Sequence, residues 1–183
     1  MTRLRIFSEA NAASPQIETD LKLEIAELLA DEDVNYQHLD VDLNFAPDIR
    51  PQDLARRLNT ELTATSCLQR YQVSQLVAVG EGYPNLQRLQ MKMLSEHQKE
   101  DNEAYLIVDG SCLLTLHIGN QVLQLFCEKG DFIDLPAEVK RWLDFGTQPN
   151  LTMMKFLHKQ EEPAAIYTGE KIADHFPRYQ HSF

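Results

Sequence analysis

Two β-prone runs, 113–118 and 121–126, meet across Gly119-Asn120. A two-residue loop of that composition joins antiparallel strands, because both residues accept the positive φ that matches strand twist. The hairpin sits inside a longer series of strand patterns. Ala104-Tyr105-Leu106-Ile107-Val108 precedes it and ends at Asp109-Gly110. Phe132-Ile133-Asp134-Leu135, Trp142-Leu143-Asp144-Phe145 and Thr152-Met153-Met154-Lys155-Phe156-Leu157 follow. Short strands this closely spaced point to a small antiparallel jelly-roll barrel.

Before residue 92 the pattern is mixed. Leu4-Arg5-Ile6-Phe7 and Asn35-Tyr36-Gln37-His38-Leu39 read as short strands. Pro15 opens a helical pattern, with Ile17, Leu21, Ile25, Leu28 and Leu29 three or four residues apart. Proline suits a first helical turn, where its missing N–H is not needed. Pro51 opens a second helix striped by Leu54, Leu58 and Leu62, and Pro84 a third, shorter one near Leu86 and Leu89. A helical hint at 170–175 stops near Pro177. The fold class expected is mainly β with N-terminal helices, in one domain over 1–183. Within it, a helix-and-strand extension at 1–90 packs on a barrel core at 91–160, and a tail occupies 161–183.

Composition narrows the function. Of 183 residues, 17 are Lys or Arg and 28 Asp or Glu, a net charge of −11. That argues against nucleic acid, which needs clustered cations. No apolar run approaches the roughly 18 residues of a membrane span, and the start lacks the pattern of a secretory signal. Cys67, Cys112 and Cys127 are few, odd in number and widely spaced, which fits a reducing cytoplasm. Cys112 and Cys127 lie in apolar strand patterns and read as buried small hydrophobes. A small molecule or anion is the expected partner, with the chain a monomer or a weak homo-oligomer.

Chemistry concentrates in two spaced motifs. The first is His97-x-Lys99-x3-Glu103-x6-Gly110, and the second is Gly130-x5-Pro136-x4-Arg141. On a strand, positions i and i+2 share a face. His97 and Lys99 therefore point into the barrel and Gln98 away. These motifs resemble the two metal motifs of the cupin double-stranded β-helix, with Lys99 and Arg141 in place of two histidines. In that superfamily three imidazoles and a carboxylate suit a divalent iron or nickel ion with open positions for substrate.

The resemblance is closer than that to cupins in general. Ser95-Glu96-His97 with Glu103, Val108-Asp109-Gly110-Ser111, Leu116-His117-Ile118-Gly119 and Cys127-Glu128-Lys129-Gly130-Asp131 are similar to acireductone dioxygenases. So are Pro136-Ala137, Trp142, Pro149-Asn150-Leu151-Thr152 and Tyr167-Thr168-Gly169. Order and spacing hold from about residue 91 to 178; the likeness is specific from Ser95 to Thr152 and weaker before residue 80. The resemblance implies a role in methionine salvage. The family's iron form cleaves an acireductone with O2 to formate and a keto acid; its nickel form gives carbon monoxide, formate and a shorter thio-acid. Carried over by position, His97 and Glu103 match two ligands. Tyr105 and Lys155 stand where the family carries pocket arginines, and Met93 and Leu143 where many members have phenylalanine. Framework residues match while pocket residues diverge.

The substitutions have physical consequences. A guanidinium stays protonated and offers no lone pair, so Arg141 is no ordinary ligand. Lys99 ligates only when neutral, several pKa units below its usual value of about 10.4. A salt bridge to Glu103 suits it better. A 2+ ion with one carboxylate sums to +1, and Lys99, Arg141 and Glu103 also sum to +1. The two cations thus replace the ion's charge, pin Glu103, and with Lys155 offer a place for a small anion. Three readings stay open at this point. They are a working dioxygenase with Fe(II) or Ni(II), a cofactor-free anion binder using Lys99, Arg141 and Lys155, and a sealed, salt-bridged barrel. His117 reads as structural. Glu96, Glu100 and Asp101 read as a solvated face, with Glu100 or Asp101 a replacement ligand only after loop rearrangement. Glu161-Glu162 reads as solvent-facing, and of Trp142 and Leu143 only one faces the pocket.

Overall fold

The computed structural model describes residues 1–40, 53, 70–71, 73–159 and 161–180. Among them eleven strands form two sheets that share one long strand. That strand, β6 (Glu103–Ile118), runs through both the 104–108 pattern and the 113–118 pattern. The sequence reading ended a strand at Asp109-Gly110. Instead the chain bends there without breaking, because Gly110 adopts φ +76°. A Cβ at Gly110 would lie 1.7 Å from the Asn150 carbonyl oxygen, so only glycine fits the bend.

Each half of β6 serves a different sheet. Its second half pairs with β7 (Gln121–Glu128) across the Gly119-Asn120 turn and with β9 (Lys140–Asp144) on the other side. β1 (Arg3–Ser8) extends this sheet beyond β7, followed by β2 (Ile17–Thr19). β5 (His97–Gln98) and β11 (Ile166–Tyr167) extend it beyond β9. The first half of β6 pairs with β8 (Asp131–Leu135) and β10 (Asn150–Leu157). β3 (Asn35–His38) lies outside β8, and β4 (Val73–Gly80) outside β10. All these pairings are antiparallel. The architecture is the mainly β jelly roll expected from the strand spacing.

The core fills the space between the sheets. Leu4, Leu106, Leu116, Leu123, Leu125 and Leu135 are each at most 1% exposed. A second cluster of Phe7, Val122, Trp142, Ala173 and Phe176 lies against the tail. The tail is pinned there by hydrogen bonds, with Gln124 Nε2 donating to the Pro177 carbonyl and Tyr179 N–H to Asp144. Its helical hint is one turn of 3₁₀ helix, Ile172–Asp174.

Several local expectations change. The helix expected from Pro15 begins seven residues later, as α1 (Lys22–Ala30), with Ile25 and Leu29 buried. Ile17-Glu18-Thr19 pair with β1 instead, since an open sheet edge satisfies their backbone groups. α2 (Leu86–Leu94) follows Pro84 as expected and packs Leu86, Leu89 and Met93 on the core. β4 was not anticipated. The helix expected from Pro51, and Cys67, lie outside the described residues. Cys112 and Cys127 face each other in register, both buried as free thiols.

Candidate functional site

The jelly roll encloses a cavity of about 100 Å³ between its sheets. Four strands and one helix deliver the residues around it. β5 brings His97 and aims the following Lys99 inward; β6 brings Glu103 and Tyr105; β9 brings Arg141 and Leu143; β10 brings Lys155; α2 ends with Met93. His97 and Lys99 are both buried at 5% exposure while Gln98 between them is half-exposed, the alternation expected of a strand. All eight residues singled out from the sequence gather here. Leu114, Met153 and Ala165 complete the apolar wall.

Glu103 is the hub. Its Oε2 accepts a hydrogen bond from Lys99 Nζ at 2.8 Å. Its Oε1 accepts from Arg141 Nη2 and from the Tyr105 hydroxyl. Lys155 Nζ lies 3.9 Å from Oε2. The side chain is 1% exposed. Burial alone pushes its pKa up, but the charges of Arg141, Lys99 and Lys155 outweigh that and hold it at about 2. Burial, reinforced by the Glu103 charge, pushes the Tyr105 hydroxyl well above its ordinary value, so it stays a proton donor to the carboxylate.

The sequence reading placed Glu162 in solvent. The residue is exposed, as read, but its carboxylate reaches the cavity. Glu162 Oε1 accepts from Lys99 Nζ at 2.5 Å and from Lys155 Nζ, although its side chain keeps 39% exposure. Burial pushes its pKa up, and the two lysines more than reverse this, holding it below the ordinary range. Burial likewise lowers Lys99, but Glu103 and Glu162 leave it net raised. Lys155 is net lowered, by burial first and then by the Lys99 charge, despite its carboxylate neighbours. The cluster therefore holds three cationic side chains and two carboxylates, again +1.

His97 stands apart from this network. Its Nδ1 lies 2.9 Å from the Ser95 carbonyl and must donate to it, which leaves the lone pair on Nε2. Burial, with Arg141 and Lys99 nearby, lowers its pKa, so the ring is neutral at pH 7. Arg141 Nε has no acceptor among the described residues.

Other site expectations resolve outside the cavity. Glu96, read as part of a solvated face, is 1% exposed. Its carboxylate accepts from His117 Nδ1 at 2.6 Å and from Thr168 Oγ1 at 2.6 Å. Glu96 thus ties His117 on β6 to Thr168 beyond β11. Glu100 is exposed, and Asp101 pairs with Lys159 at 3.1 Å. Leu143 packs on the inner core and Trp142 on the outer cluster, as opposite strand faces require, yet both border the cavity, where only one was expected to. Among the described residues, no group of three or more His, Cys, Asp or Glu side chains is placed to hold a metal ion.

The match to known proteins is close to full length. Residues 3–165 fit the ARD/ARD' family. The chain belongs to the acireductone dioxygenase family. It is 33% identical to the acireductone dioxygenase of Citrobacter koseri, covering 97% of this chain and 99% of that relative. It is 32% identical to that of Synechococcus sp., covering 97% and 98%. The fold of acireductone dioxygenase from Bacillus anthracis, solved with a cadmium ion in its active center, matches with a TM-score of 0.75. That match covers 91% of this chain and 98% of the other, at 19% identity.

Proposed function

We propose that this member of the acireductone dioxygenase family binds a small organic anion in its barrel without a metal. The observation that carries this is the state of Glu103. Both of its oxygens are engaged by Lys99, Arg141 and Tyr105. A divalent ion at His97 and Glu103 would meet two ammonium groups and a guanidinium within the same cluster, with only one free imidazole to hold it. Such a donor set does not fit iron or nickel. What it fits is negative charge. Lys99, Arg141 and Lys155 outnumber the two carboxylates, Arg141 Nε lacks an acceptor among the described residues, and Met93, Leu114, Leu143, Met153 and Ala165 supply an apolar part of the wall. Charge-assisted bonds from buried lysine and arginine are the stronger kind. The small volume excludes drug-sized molecules, whose pockets run from about 300 Å³ upward.

In this reading each residue has a task. Lys99 and Lys155 meet the anion's head, and Arg141 holds Glu103 so that the lysines stay charged and oriented. Tyr105 caps the second Glu103 oxygen and keeps water from it. Met93, Leu143 and Met153 receive an apolar portion of the ligand.

Retention of the relatives' dioxygenase activity is the competing reading, and near-full-length similarity favours it. One experiment separates the two. The untagged protein is expressed with added iron or nickel, then assayed for bound metal, for acireductone-dependent O2 uptake, and for binding of small anions by calorimetry. The expected result is metal well below one ion per chain, O2 uptake at the uncatalysed rate, and saturable anion binding. Near-stoichiometric metal with turnover above the uncatalysed rate overturns the proposal.

A further inference from the structure

Glu162 lies beyond β10 and reaches back to the cavity. Its carboxylate bridges Lys99 and Lys155. Exposure rises outward through the cluster, from 1% at Glu103 to 6% at Lys99, 11% at Lys155 and 39% at Glu162. Glu103 is therefore built in, between strands, whereas Glu162 approaches from the solvent side. No strand or helix holds it: residues 161–165 belong to neither. Moving its carboxylate out of the cluster breaks no sheet ladder.

Resting on the anion-binding reading, we infer that Glu162 is the protein's own stand-in for the ligand's head group. The ligand class is then a monocarboxylate with a short apolar tail. Its head displaces the Glu162 carboxylate from between Lys99 and Lys155, and its tail lies among Met93, Leu143 and Met153.

Three observations point to this class. The group already seated between the lysines is a monoanion, whose single oxygen Oε1 accepts from both ammonium groups. Net charge near the lysines stays at +1 when one monoanion replaces another, whereas a dianion would add a negative charge to a site that already buries Glu103. Met93, Leu143 and Met153 give the lining beyond the lysines an apolar stretch that a short tail would cover, beside the polar edges of His97, Tyr105 and Trp142.

The exchange also sets the affinity. An external carboxylate must compete with one that is covalently attached and hence present at a high effective concentration. Removing the Glu162 charge removes the competitor and leaves Lys99 and Lys155 to share Glu103.

Calorimetric titration tests this with butyrate, its neutral analogue butyramide, and inorganic phosphate, on wild type and Glu162→Gln. Butyrate is expected to bind the Gln variant at least about tenfold more tightly than wild type, with butyramide bound by neither. Thermal shift gives a second readout if the variant is unstable: butyrate raises its melting temperature more than that of wild type. Equal or weaker butyrate binding by the variant overturns the stand-in role and leaves the anion-binding reading intact. Tighter binding of phosphate than of butyrate overturns the monocarboxylate class alone. Failure of both proteins to bind either anion overturns both readings.

Discussion

Replacing Glu103 with glutamine is the most direct probe of the barrel's interior. The change keeps side-chain shape and removes one charge. In the wild type three cations face two carboxylates; in the variant they face Glu162 alone. The amide offers one oxygen to Lys99 or Arg141 and turns its own donors toward the other. Breaking a buried ion pair from one side costs about 3–5 kcal/mol. The folded-state pKa leads to a similar figure. A drop from the ordinary 4.5 to about 2 corresponds to about 3 kcal/mol, at about 1.4 kcal/mol per tenfold. For a chain of this length each kcal/mol moves the melting temperature by about 2–4 °C. The variant should therefore melt about 6–20 °C below wild type at pH 7. Because the folded-state pKa is depressed, this contribution is complete above pH 4.5 and is lost as pH falls toward 2. Denaturant titrations at stepped pH should show the wild type converging on the variant across that window. An unchanged melting temperature at pH 7, or a gap that persists at low pH, would refute the pinned-carboxylate account.

The other predictions concern different parts of the molecule. Joint Lys99→His and Arg141→His substitution restores three imidazoles and a carboxylate, and mass spectrometry of the digested protein should find iron or nickel near one per chain, well above wild type. Gly110→Ala places a Cβ against the Asn150 carbonyl at positive φ, and should cost more than about 4 kcal/mol, read as loss of soluble, cooperatively folding protein. Glu96→Ala takes the carboxylate from His117 Nδ1 and Thr168 Oγ1 and should cost about 1–3 kcal/mol in denaturant unfolding.

The barrel and its centre were legible for different reasons. Gly119-Asn120 specified a hairpin by local turn chemistry, and strand alternation placed His97 and Lys99 on the inner face, so both were readable from neighbouring residues. The continuity of β6 was not, because a bend at glycine and a strand end look alike in one dimension. Its solution lies in Asn150, forty residues on, whose carbonyl occupies the space a side chain would need. The start of α1 was misplaced because Ile17 and Thr19 fit a helical period, yet a strand partner at Leu4 to Ile6 claimed their backbone. Glu162 left no sequence signal: paired glutamates after a strand look solvated, and one of the two lysines that bind it lies 63 positions away. Glu96 was hidden likewise among acidic neighbours that do face water.

The division of β6 at Gly110 also bears on how such a protein changes over time. Residues 103–110 pair with one sheet and carry Glu103 and Tyr105; residues 111–118 pair with the other and carry the hairpin. Lys99 and Arg141 arrive on segments that border this frame. The interior charge pattern can therefore change in small steps while the hairpin is left alone. The barrel and its cavity can thus persist while the residues that line the cavity change.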